Sequence, residues 1–92
     1  MKGLLFKTDG TWETVVPQNG KNFELDELNK FVGGYIEIIT LKGSRFMVLN
    51  EEGKLDGLPF NQRATMVFRE SFPGTNDFIV GNVLVCPNDM IE

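Results

Sequence analysis

Three patterns of apolar and polar residues divide this chain into short elements. Lys2 to Lys7 holds a compact apolar run and reads as a buried strand. Asp9-Gly10 follows, a hairpin signal because both residues tolerate positive φ. Thr11 to Val16 alternates, with Trp12, Thr14 and Val16 on one face and Thr11, Glu13 and Val15 on the other; Pro17 stops this second strand. Leu25, Leu28, Phe31 and Val32 recur at helical spacing, opposite Glu24, Glu27 and Lys30. Asn22 is the expected cap of that helix, with Glu24 in its first turn, and Gly33-Gly34 its stop, one glycine being left-handed. No glycine-rich fingerprint opens a helix at this pair, which favours a helix stop over a phosphate loop.

Alternation returns in Tyr35 to Leu41, where Tyr35, Glu37 and Ile39 share a face, and Lys42-Gly43-Ser44 turns the chain into an antiparallel partner, Arg45 to Asn50. Glu37 is expected to face solvent or pair with a neighbour such as Arg45; the alternative places it in a ligand pocket. Asn50 to Gly53 is a turn, and Gly57 and Pro59 make Lys54 to Phe60 irregular. Asn61 is the expected N-cap of a second helix from about Gln62 to about Glu70, burying Ala64, Val67 and Phe68. Asp77 to Val80 and Asn82 to Cys86 are β-like runs hinged at Gly81, forming either one bent strand or two short ones. Pro87 ends the sheet, and the residues after it are expected to fray. The order β-β-α-β-β-α-β, with a further β if the last run splits, predicts an α+β fold: a single small domain over 1–92, with two helices on a mainly antiparallel sheet.

Composition narrows the possible chemistry. The chain has 92 residues, a net charge of -4 and no histidine. Histidine is the commonest general base and metal ligand, so its absence removes Ser-His-Asp and Cys-His devices. Nine scattered Lys and Arg disfavour direct binding of duplex nucleic acid, and the acidic residues are too sparse for a DNA mimic. Cys86, the single cysteine, excludes an internal disulfide and structural zinc; it follows Val83-Leu84-Val85 and reads as a buried thiol. The N-terminal apolar run is too short for a signal peptide or a membrane span, so the expected location is the cytoplasm.

The richest stretch is Leu49 to Thr65. Glu51, Glu52 and Asp56 lie close together, but their spacing does not match a calcium loop, so a solvated turn is expected and no metal or other cofactor. A carboxylate-metal enzyme is the only catalytic version left. Past the turn, free N–H groups at the start of a helix capped by Asn61 lie beside Arg63, a combination that suits an anion. The candidate ligand-binding residues are Tyr35, Phe60, Asn61, Arg63 and Thr65, with Tyr35 or Phe60 stacking on a ring. The same residues also suit a purely structural assignment: Asn61 satisfying its own helix, Phe60 packing beside it, and Arg63 in solvent.

The blocks MKGLLFKTDGTWE, VGGYIEII, NEEGKLDGLPFNQRAT and IVGNVLV resemble the small domain-of-unknown-function family numbered thirty-eight forty-six, over about Lys2 to Val85. That resemblance implies a phage, plasmid or gut-bacterial mobile-element setting and no specific activity. Residues and setting together lead to one expectation: a non-catalytic protein, homo-oligomeric, that captures an anionic nucleotide-like small molecule and so sequesters a host-defence signal. The alternative is a protein-interaction module that inhibits a host protein through an exposed strand edge.

Overall fold

The computed structural model describes residues 2–91. Its sheet has five strands: β1 (Gly3–Phe6), β2 (Trp12–Val15), β3 (Ile36–Leu41), β4 (Arg45–Asn50) and β5 (Val83–Pro87). Their spatial order is β2-β1-β5-β4-β3, and every neighbouring pair is antiparallel. The two hairpins stand side by side, and the last strand in sequence joins them from the middle. Its run Val83-Leu84-Val85-Cys86 is buried throughout, as a strand covered on both faces requires.

Helix α1 (Leu25–Val32) covers one face and helix α2 (Gln62–Ser71) the other. Alternation along β4 and β5 sorts the core between them. Val48, Leu84 and Cys86 join Phe23, Leu28, Val32 and Met90 on the α1 side. Met47, Leu49, Val83 and Val85 join Phe6, Leu41, Ala64, Phe68 and Ile79 on the α2 side. The fold is therefore α+β, an antiparallel sheet between two helices. No helix among the described residues is long and apolar enough to cross a membrane.

Several local expectations are corrected. The N-cap of α1 is Glu24, not Asn22. Phe23 is drawn into the core, where its N–H donates to the Met90 carbonyl at 2.7 Å, and this delays the helix. The Asn22 side-chain oxygen instead accepts from Asn19 Nδ2. Glu27 lies on the buried side of α1: its carboxylate accepts from the N–H groups of Gln18 at 3.1 Å and Glu24 at 3.2 Å. Leu25, expected in the apolar stripe, is exposed. Gly33 does take the left-handed C-cap, at φ 79°.

Residues 77–80 form no strand; one bridge links Val80 to Phe60, and Gly81 turns into β5 at φ 78°. The segment after β5 is packed rather than frayed. Asn88–Met90 makes a single 3-10 turn, Met90 is fully buried, and Ile91 bridges to Phe23.

Candidate functional site

Asn61 is the best-connected polar residue around α2. Its Oδ1 accepts from the Ala64 N–H at 3.1 Å, the cap expected of it. Its Nδ2 donates to the Phe6 carbonyl at 3.0 Å and the Gly81 carbonyl at 2.8 Å, tying the start of α2 to β1 and to the entry of β5. The Thr65 hydroxyl donates to the Asn61 carbonyl at 2.8 Å and accepts from the Ile79 N–H at 2.9 Å. Both side chains are buried, so their polar atoms are spent inside the fold.

Arg63 is outside that network. Its guanidinium lies over the Trp12 ring, 4.4 Å from the centroid, and its Nε donates to the Gly10 carbonyl at 2.9 Å. The N–H groups of Gln62 and Arg63 meet no protein acceptor among the described residues, as the first turn of a helix dictates. The depression at this point is lined by Gly10, Gln62, Arg63 and Met66.

Phe60 and Tyr35 do not join it. Phe60 packs against Phe78, ring centroids 6.2 Å apart, and Tyr35 is exposed between α1 and β3. Of the five residues singled out from the sequence, Asn61 and Thr65 share a buried network, while Tyr35, Phe60 and Arg63 stand apart on the surface.

The reactive groups are equally dispersed. Cys86 is buried, and burial, aided by the Asp89 charge, pushes its thiol up to about 11. Glu51, Glu52 and Asp56 lie in a run of turns, and no cluster of three carboxylate or thiol groups among the described residues is gathered for a metal ion.

Glu37 faces Leu49 across the ladder, not Arg45, which pairs with Leu41. Glu37 is exposed, as expected, and lies at the rim of a depression of about 150 Å³ on the α2 face, with Ile39, Glu51, Leu55, Asp77 and Phe78 at its walls. Lys54 also lines it, paired with Asp77 and 4.5 Å from the centroid of the Phe78 ring. That pairing, first of all the Lys54 hydrogen bond, holds the Asp77 carboxyl below the usual value. Glu37 and Glu51 have no such cation within ion-pair distance among the described residues.

The other side of the same strand carries a different surface. Ile36 and Ile38 line a mainly apolar groove of about 310 Å³ on the α1 face, together with Leu25, Leu28, Phe23 and Ile91 and with Glu24 at its wall. β3 is one of the two edge strands, with β2 the other, and its outer backbone edge lies between this groove and the acidic depression. The alternation of Tyr35 to Leu41 already signalled a two-faced strand. The groove itself could not be read locally, because Leu25 and Ile91 reach it from distant parts of the chain. Trp12 was likewise legible only as bulk, and its pairing with Arg63 joins β2 to the start of α2.

No curated protein and no solved structure is matched by this sequence. The family model described as domain of unknown function (DUF3846) matches residues 1–91, and by that near-complete match the chain belongs to this family.

Proposed function

We propose that this chain is a non-catalytic binding protein that recruits another protein by adding a strand to the free edge of β3. The observation that carries the reading is the β3 edge: six residues long, outermost in the sheet, with Ile38 half-exposed beside it. Such an edge offers a row of unpaired backbone groups to an extended segment, and alternate side chains of the guest fall on opposite faces. The lack of histidine and the protonated, buried Cys86 support a role without covalent chemistry. The mobile-element setting implied by the family resemblance supplies a context, inhibition of a host protein in the bacterial cytoplasm. Affinity capture from host lysate with wild type and with Ile38→Asp, which places a charge on the edge, tests this. A stoichiometric partner lost with the folded variant supports strand addition. Equal capture by both rules out this edge.

A second reading rests on Arg63 over Trp12 beside the free N–H groups of Gln62 and Arg63. That corner suits the phosphate of an anionic nucleotide-like molecule, which fits sequestration of a host-defence signal. Calorimetry against nucleotides, cyclic nucleotides and ADP-ribose derivatives tests it; no heat at millimolar ligand with folded protein ends it.

A further inference from the structure

We infer that the segment accepted by β3 alternates apolar and basic side chains. This inference rests on the strand-addition reading and adds the chemistry of the partner. Successive residues of an added strand point to opposite faces of the sheet. On the α1 face they meet the groove bounded by Ile36, Ile38 and Leu25, which accepts an apolar side chain. On the α2 face they meet the depression bounded by Glu37, Ile39 and Glu51. Its one lysine, Lys54, pairs with Asp77, and the exposed Glu37 and Glu51 have no cation within ion-pair distance among the described residues. A Lys or Arg from the guest pairs with these carboxylates, and its alkyl stem lies along Ile39 and Leu55.

The same carboxylate selects against other guests. Antiparallel pairing of two copies through β3 sets Glu37 directly against its counterpart when the pairing is centred on Glu37 and diagonally against it when centred on Ile38. Like charges at such positions oppose pairing, and each copy carries a net charge of -4. A charged side chain on an edge strand is a recognised guard against self-association. Glu37 thus disfavours a second copy in those registers and an acidic guest while favouring a basic one.

The test uses the full chain, isotopically labelled, titrated with three seven-residue peptides and followed by backbone amide shifts. One peptide alternates valine with lysine, one valine with threonine, one valine with glutamate. The lysine peptide is expected to shift the Ile36 to Leu41 amides and to bind about tenfold tighter than the threonine peptide, the ratio that two modest ion pairs give. The glutamate peptide is expected to leave them unmoved. In the double variant Glu37→Gln and Glu51→Gln the lysine peptide should fall to the threonine level. If lysine and threonine peptides bind β3 equally, strand addition survives and the basic selectivity is overturned. If no peptide moves β3, strand addition itself falls. Shifts of β3 with protein concentration alone would identify a second copy as the occupant and overturn the proposal. So would lysine-peptide shifts scattered over acidic residues away from β3.

Discussion

Asn61 separates two accounts of the start of α2. If the residue is only a helix cap, Asn61→Ala costs about 1 kcal/mol. The structure gives it a second task, because Nδ2 bridges the carbonyls of Phe6 and Gly81 in a fully buried position. Truncation strips the Ala64 N–H and both carbonyls of this partner. Each buried group left unsatisfied costs roughly 1–3 kcal/mol. Carbonyls have a second lone pair for ladder bonding, so the low end applies, and the expected total is about 3 kcal/mol. A domain of this length holds roughly 5–14 kcal/mol in all, which makes that loss large but survivable. Asn61→Asp is the sharper probe. It keeps the cap oxygen for Ala64 but turns an oxygen, and a buried charge, towards two carbonyls. Urea unfolding followed by circular dichroism, at constant m, should show Asn61→Asp at least as destabilised as Asn61→Ala. Asn61→Asp within about 1 kcal/mol of wild type would refute the bridging role and restore the simple cap.

Other expectations follow from single contacts. Cys86 should resist a thiol reagent in the native protein and react fully in denaturant. Its thiol is raised from 9.0 to about 11, so the folded state holds a proton the unfolded state has released, and stability should fall as pH rises from 9.0 towards 11. Alkaline melting curves of wild type and Cys86→Ala check this, the variant losing the less on passing through that window. Arg63→Ala should change the emission of Trp12, the single tryptophan, while costing under about 1 kcal/mol, because the cation lies on an exposed ring; unchanged emission would count against the stack. Gly81→Ala should destabilise by roughly 1–3 kcal/mol, since φ is 78° there and the new Cβ would come within 2.9 Å of Leu58 Cδ1. A neutral effect in thermal melts would contradict that packing.

The elements were legible because each depends on local pattern. Alternation found β2 and β3, helical spacing found both helices, and turn residues separated them. What depends on distant contacts was not legible. Asn22 has the chemistry of a cap, yet Phe23 is pulled away to Met90 and Ile91, and the helix starts later. Glu27 looked like a solvent-facing residue, but the Gln18 and Glu24 N–H groups come to it and allow its burial. The central position of β5 had a signal in its unbroken apolar run, since a strand covered on both faces does not alternate. For the site, the sequence marked Arg63 and read Glu37 first as a solvent-facing residue, with a pocket as the lesser alternative. It could not show that Trp12 stacks on Arg63, or that Leu25 and Ile91 meet beside Ile38. Asn61 and Thr65 carry polar groups that suit a ligand, and only the fold shows those groups taken by Phe6, Gly81 and Ile79.

The claim on which the functional account stands is that the outer edge of β3 is open. Residue-resolved amide hydrogen exchange of the free protein at low concentration measures this directly. An edge strand has one backbone side bonded to β4 and the other in water. The account predicts an alternation along Ile36 to Leu41, slow amides bonded to β4 interleaved with fast, unprotected ones. Uniform protection of all these amides in the dilute, free protein would show the edge already covered and contradict the account.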